Sequence, residues 1–367
     1  MDLTRLIEKP TLLLDKNKAI NNIDRMVAKA QGSGVRLRPH FKTHQSAAIG
    51  EWFRVRGITA VTVSSVDMAV YFANHGWDDI TIAIPANIRQ QQTMNELAAR
   101  VRLGLLVESV ETAVFLGQQL THAVDIWLKI DVGYHRTGLD WQDEAGISAV
   151  ATAVAQFPHL RLTGLLTHAG HTYHAQQTAV AAIYGETVTR LQSVQALLHK
   201  QGYAVALSLG DTPSCSLMET FSGIDEIRPG NFVFYDVMQW QIGACQEADI
   251  AVALACPVVA KQAARQQLVL YGGAVHLSKE ALTGNDGKVE YGRIAHLAAA
   301  GWTASHPTAR VVSLSQEHGI VQADAALFAQ VNVGDVLAVL PVHSCLTANL
   351  NGRYLTLDGD WLEMARF

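Results

Sequence analysis

Apolar residues in this chain arrive in short, nearly continuous runs, and between those runs they fall at helical spacing. The runs lie near residues 35–42, 58–65, 79–86, 103–109, 126–133, 162–169, 205–211 and 226–234. Short apolar runs closed by Gly, Pro or Asp read as strands covered on both faces. Between them, Ile20, Ile23, Met26, Val27 and Ala30 follow Asp15 as a cap, and Val180, Ile183, Val188, Leu191, Val194 and Leu198 form a second helical stripe. Strands that alternate with helices pair in parallel. Eight such units in roughly 220 residues predict a (β/α)8 TIM-type barrel. A doubly wound open sheet is the alternative, and the lack of a G-x-G-x-x-G after the first strand counts against it.

From about residue 245 the pattern changes. Runs near 251–260, 268–272, 311–314, 336–340 and 354–357 are separated by Gly, Asn and Asp turns, which predicts a β-rich domain. The segment Thr11-Leu12-Leu13-Leu14-Asp15 precedes the first helix and is expected to join it. The expected division is a barrel over 16–244 and a β domain over 245–367 that takes in 1–15.

Bulk composition narrows the class without naming it. At 367 residues the chain exceeds what one core usually supports, and 49% hydrophobic with 17% charged residues is globular. A net charge of -5 offers no electrostatic case for nucleic acid or an anionic membrane. Residues 1–10 carry Asp2, Arg5, Glu8 and Lys9 rather than the apolar core of a signal peptide, and no run approaches transmembrane length. Cys215, Cys245, Cys256 and Cys345 form no C-x-x-C pair, so no disulfide framework or structural zinc module is expected, and a reducing cytoplasmic compartment fits.

The chemistry collects at predicted strand ends, where barrels hold their ligands. After strand one, Arg38-Pro39-His40-Phe41-Lys42-Thr43-His44 places a lysine among cationic or potentially cationic neighbours. Such neighbours and partial burial favour neutral lysine, which condenses with aldehydes. After strand five come Asp131, His135 and Arg136, and after strand six His168, His171 and Tyr173. Arg136 reads either as an ion-pair partner of Asp131 or as a cation beside a cofactor oxygen. His168 and His171 read either as polar residues satisfied by backbone carbonyls or as catalytic groups, and Tyr173 as packing or as a hydrogen-bond partner of a cofactor ring nitrogen.

After strand seven lies Gly210-Asp211-Thr212-Pro213-Ser214, and after strand eight Arg228-Pro229-Gly230-Asn231. Glycines, hydroxyls and free amides at those two positions suit a phosphate. A lysine opposite a phosphate cradle suggests pyridoxal 5'-phosphate. Separately, Pro341-Val342-His343-Ser344-Cys345 follows a strand. On an extended segment His343 and Cys345 would point the same way, and imidazole plus thiolate favours zinc. The alternative is a half-buried histidine and an ordinary core cysteine.

Together, Pro39-His40-x-Lys42-Thr43-His44, Gly210-x-Thr212-Pro213-Ser214, Arg228-Pro229-Gly230-Asn231, Gln316-Glu317-His318-Gly319 and Pro341-x-His343-x-Cys345 resemble the D-serine dehydratase / D-threonine aldolase family. Its members are fold-type III pyridoxal phosphate enzymes with an alanine-racemase-like barrel and a β domain. The resemblance implies that Lys42 carries the cofactor as an imine and that Tyr173 faces its ring nitrogen. It puts Arg136 by the phenolate, the loops with Gly210, Thr212, Ser214, Gly230 and Asn231 at the phosphate, and His40 and His44 around the Lys42 pocket.

It further implies a divalent metal on His343 and Cys345, with zinc first and manganese or magnesium as further candidates, and a homodimer acting on a small D-amino acid. Within the family His-x-Cys accompanies dehydratases, so β-elimination is expected over retro-aldol cleavage, with His168 or His171 as base for the latter. A racemase, which needs a second base on the opposite face, and a non-catalytic pyridoxal phosphate carrier rank below both.

Overall fold

The apolar runs become the staves of a closed parallel barrel. The computed structural model describes residues 3–284, 286–298 and 301–367. Met1 and Asp2, assigned to the β domain from the sequence, lie outside the described residues. The chain folds as two compact units. One comprises Asp24–Lys42 and Ile49–Gly230, together with Phe367. The other takes the N-terminal stretch up to Ile23, Thr43–Ala48 and Asn231–Arg366.

In the first unit eight strands run Arg36–Leu37, Val61–Val63, Asp79–Pro85, Arg102–Val107, Val124–Asp131, Leu160–Thr167, Ala206–Leu209 and Glu226–Ile227. Each pairs in parallel with the next, and the eighth returns to the first. The ring closes between strands one and two at a single bridge, His40 to Thr62. There the Phe41 amide donates to Thr62 O at 2.8 Å and the Thr62 amide to Pro39 O at 2.9 Å. Strands one and eight are shorter than their apolar runs suggest. Pro39 and Pro229 have no N–H to continue a ladder.

Several helices start on side-chain caps just after their strands. Ser65 accepts from the Met68 amide, Ser109 from Thr112, and Asp211 from Ser214.

The outer faces of the strands pack against helices, and the interior combines an apolar cluster of Leu106, Trp127, Leu166 and Ala206 with a buried polar column. Strand residues two apart face the same side, and a column of hydrogen bonds threads those positions. Arg228 Nε donates to Ser208 Oγ at 2.7 Å, and Ser208 Oγ donates to Glu226 Oε1 at 2.8 Å. Arg38 Nε donates to Glu226 Oε2 at 2.6 Å and Arg38 Nη1 to Asp79 Oδ1 at 2.5 Å. Arg38, Glu226 and Arg228 are each no more than 4% exposed.

In the second unit a six-stranded antiparallel ring runs Val252–Gln262, Gln267–Tyr271, His318–Gln322, Arg310–Leu314, Gly292–Ala298 and Val336–Pro341, then back to Val252–Gln262. Thr11–Leu14 pairs antiparallel with Val252–Gln262 and parallel with Arg353–Thr356. Leu13, Ala255 and Leu355 pack together with Ile7 in its core. No helix among the described residues is long and apolar enough to cross a membrane.

Removing the shared acceptor of the interior column should be costly. Glu226→Ala leaves the buried Arg38 guanidinium with Asp79 as its remaining carboxylate and its Nε unpaired, with an expected loss of about 3–5 kcal/mol. Urea unfolding of the two proteins checks this, and Glu226→Gln should lie between them.

Candidate active site

Lys42 ends the first strand's excursion at the C-terminal mouth of the barrel. Phe41 anchors it from below, packing its ring against Phe53, Phe72 and Trp77 at centroid separations of 4.9–5.1 Å. Lys42 itself is exposed, not half-buried as its sequence suggested. The heptad around it is divided, for Thr43–Ala48 belongs to the β unit. His44 is fully buried there, its Nδ1 accepting from the Ser46 amide at 3.1 Å, and burial lowers its imidazolium to about 3.

His40 and His168 stay with the barrel. Burial, reinforced by the positive charges of Lys42, Arg228 and Arg136, holds both imidazoles well below their usual range. His168 Nδ1 donates to Gly210 O, which leaves its Nε2 as the acceptor nitrogen. Arg136 does not pair with Asp131. Asp131 Oδ1 accepts three amides, from Gly133, Tyr134 and His135 at 2.9–3.1 Å, while the Arg136 guanidinium lies over the Tyr134 ring at 5.1 Å. His171 stacks on the same ring at 6.2 Å and is half-buried, its basicity lowered by burial and Arg190.

Two buried charges here escaped the sequence reading. Lys129, 5% exposed, donates to Ile130 O at 3.0 Å, and burial with Arg228 and Arg136 nearby lowers it to about 8. Its signal was a lysine between Leu128 and Ile130 in the strand Val124–Asp131. Asp211 is fully buried and pushed up to about 6. It accepts from the Ser214 amide at 2.7 Å and from Thr172 Oγ1 at 3.0 Å, which ties the phosphate-type loop to the turn bearing His171 and Tyr173.

The loop after strand seven opens the helix Thr212–Leu217, with Asp211 as its N-cap and Pro213 in its first turn. Thr212 Oγ1 and Ser214 Oγ are buried and have no hydrogen-bond partner among the described residues. Tyr173 Oη accepts from the Thr212 amide at 3.3 Å. A Cβ on Gly210 would come within 2.8 Å of the Arg228 backbone, so only glycine lets the two loops approach this closely. Two orphaned hydroxyls beside a helix start suit a phosphate ester. Gly230 closes the barrel unit in sequence, and Asn231 opens the next stretch of the β unit.

In the β unit, His343 and Cys345 do come together, though not on an extended segment. His343 is the N-cap of the helix Ser344–Asn351, and Cys345 sits in that helix's first turn. Burial alone would lower the His343 imidazolium, but Cys345 and Asp236 outweigh it and hold it well above its usual range. Cys345 Sγ lies 3.3 Å from Thr43 Oγ1 and 3.5 Å from Asn231 Nδ2. The Asn231 side chain, expected at a phosphate loop, thus belongs to this cluster, where it also donates to Asp236 Oδ2 at 2.6 Å. An imidazole and a thiol side by side suit a zinc-type cation with open positions. No group of three or more such ligands occurs among the described residues.

Comparison with known proteins agrees with this architecture over its length. Residues 14–237 match the alanine racemase N-terminal domain family, and residues 251–357 match a serine dehydratase domain. The chain is 29% identical to D-threo-3-hydroxyaspartate dehydratase of Delftia sp. (strain HT23), covering 96% of this chain and 95% of that one. It is 26% identical to D-serine dehydratase of Dictyostelium discoideum (96% and 94% covered) and 24% identical to D-threonine aldolase of Arthrobacter sp (96% and 90%).

Among solved structures, D-threo-3-hydroxyaspartate dehydratase as a cysteine-to-alanine mutant in the metal-free form superposes with a TM-score of 0.93 at 26% identity, covering 100% of both chains. A histidine-to-alanine mutant of that enzyme gives 0.92 at 26% identity, covering 99% and 96%, and its altered residue lies two positions before the cysteine. With a racemase-type barrel followed by a dehydratase-type β domain, the chain belongs to the alanine racemase N-terminal domain family, among its D-serine dehydratases and D-threonine aldolases.

Proposed function

We propose that the protein is a lyase that uses pyridoxal 5'-phosphate and a divalent metal to remove water from D-β-hydroxy amino acids, giving a 2-oxo acid and ammonia from a D-serine-like substrate. The observation that carries this reading is the anion cradle of Thr212 and Ser214 on the barrel that also presents Lys42. Likeness over nearly the whole chain to two D-β-hydroxy acid dehydratases supports the substrate class. The His-x-Cys spacing of the relative's mutated pair, the spacing of His343 and Cys345, supports the metal. Zinc is first among the metals, with manganese or magnesium as alternatives. Four free cysteines favour a reducing, cytoplasmic setting, and a homodimer follows from the family resemblance.

Lys42 would hold the cofactor's aldehyde carbon. Thr212, Ser214 and the amides around Gly210, Gly230 and Asn231 would hold its phosphate, and Tyr173, Arg136 and His40 would border its ring. His343 and Cys345 would hold the metal. When bound, the cofactor supplies an electron sink for the α-carbon and the metal a Lewis acid for the β-oxygen.

The chain's own residues do the rest. Lys42 Nζ takes the α-proton. His40 and His168 compete poorly for it, because burial and the surrounding cations depress their basicity. Arg228, Arg136 and Lys129 keep the site positive, which favours a carboxylate-bearing substrate. The β-hydroxyl leaves as hydroxide, and the released enamine hydrolyses to the 2-oxo acid and ammonia.

Retro-aldol cleavage to glycine and an aldehyde is the second reading, supported by the likeness to D-threonine aldolase. It needs a base on the β-hydroxyl. His168, with Nε2 left as its acceptor nitrogen, is the candidate for that role, and the likeness to two dehydratases ranks elimination first.

Incubating the protein with D-serine, D-threonine and D-threo-3-hydroxyaspartate, and assaying ammonia and glycine in parallel, decides between the two. Chelator-treated protein should release no ammonia and zinc should restore it, whereas glycine as the main product would replace elimination by cleavage. Lys42→Ala should lower turnover by at least ~10²–10⁴-fold, the usual worth of a positioned base, and abolish the absorbance of the bound chromophore. Thr212→Val and Ser214→Ala should each weaken cofactor binding by roughly 1.5–3 kcal/mol, the worth of a hydrogen bond to a charged group. Equilibrium dialysis checks this, and the cofactor-free variants should melt no earlier than the parent.

A further inference from the structure

Asp236 is completely buried in the β unit, and its two oxygens serve different neighbours. Oδ1 accepts from the Gln239 amide at 2.9 Å and caps the helix Val237–Ile242. That alone would satisfy an ordinary N-cap. Oδ2 turns to the segment His343-Ser344-Cys345. It accepts from the Ser344 amide at 2.9 Å and from Ser344 Oγ at 3.3 Å, and it faces His343 Nδ1 at 3.4 Å, within ion-pair range but without the alignment of a hydrogen bond. Asn231 completes the circuit, because the Nδ2 that donates to Oδ2 at 2.6 Å also lies 3.5 Å from Cys345 Sγ. One carboxylate oxygen thus touches or indirectly braces all three residues of the motif. The residue before it, Tyr235, sits at φ 50°, a left-handed conformation unusual for a tyrosine.

We propose that Asp236 is the positioning residue of a metal centre, pairing electrostatically with His343 on its Nδ1 side so that Nε2 is offered to a divalent cation, and steadying Cys345 through Asn231. This rests on the reading of His343 and Cys345 as the metal's ligands. The physical reason is tautomer choice. An imidazole whose Nδ1–H is taken by a carboxylate carries its lone pair on Nε2 and is a better donor there. The amide of Asn231 gives the sulfur a hydrogen-bond donor on the side of the carboxylate, which fixes where the thiolate sits. Sequence alone hides this arrangement, since Asp236 looks like a helix cap and Asn231 like part of a phosphate loop.

The test titrates Co2+ into the parent, His343→Ala, Cys345→Ala and Asp236→Asn proteins, reading the thiolate-to-cobalt absorption, with zinc affinity from chelator competition. The parent should bind, and the His343 and Cys345 variants should not. Asp236→Asn, which keeps a side-chain oxygen for the Gln239 amide, should fold like the parent yet bind zinc roughly 10–100-fold more weakly, the usual effect of losing a ligand's supporting partner. If the parent binds no metal, or binds it undiminished without His343 and Cys345, the ligand reading itself falls. If those two variants lose the metal while Asp236→Asn binds as the parent does, only the role of Asp236 is overturned. Should Asp236→Asn not fold, nitrogen-15 spectra of the zinc-loaded parent decide. His343 protonated at Nδ1 and ligated through Nε2 upholds the proposal, and ligation through Nδ1 refutes it.

Discussion

The barrel unit depends on where Arg228 finds its acceptors. A guanidinium with 4% exposure must be hydrogen-bonded or it would unfold its surroundings. It reaches Ser208 and the Thr167 carbonyl, and through Ser208 it is linked to Glu226 and Arg38. That chain sets the relative heights of strands one, six, seven and eight. It also leaves a positive charge beneath the mouth of the barrel, lowered to about 10 by burial but still protonated at neutral pH. The depressed histidines and the lowered Lys129 are all in part its consequence. A hydrophobic filling of similar volume would often be as stable or more so, so the column is better understood as electrostatic preparation of the site than as reinforcement of the fold.

Much of this was legible in the chain. The eight apolar runs mark eight strands, because a strand covered on both faces has no room for sustained polarity. The charges Arg38, Glu226 and Arg228 stand in those runs as well, but no local pattern says that they meet inside the barrel. Strands Gly292–Ala298 and His318–Gln322 were not legible, since glycines and polar residues interrupt their apolar positions. At the site, spacing found His343 and Cys345 but assigned the wrong backbone, because Ser344 reads equally well as a strand residue and as a helix start. Asn231 was legible as a loop residue, but no local pattern could say that its side chain serves a motif more than a hundred positions later.

The His343-Ser344-Cys345 segment and the loop after strand seven share one constructional habit. In each, an aspartate N-caps a short helix with one carboxylate oxygen, Asp211 for Thr212–Leu217 and Asp236 for Val237–Ile242. In each the same carboxylate also takes a hydroxyl from another segment, Thr172 in one case and Ser344 in the other. A cap that doubles as a cross-link makes a local signal fix a non-local distance, so two pieces of chain are registered by one side chain.

The closing seam of the barrel differs from its other joints. Strands one and two meet at one bridge, His40 to Thr62, where their neighbours are joined by ladders. An amide secured by a single bridge trades its proton with solvent through small local openings, whereas those in the ladders wait for larger ones. Beside Lys42 the ring is thus held shut by two backbone hydrogen bonds and by Thr62 Oγ1 on the Arg38 carbonyl instead of a ladder.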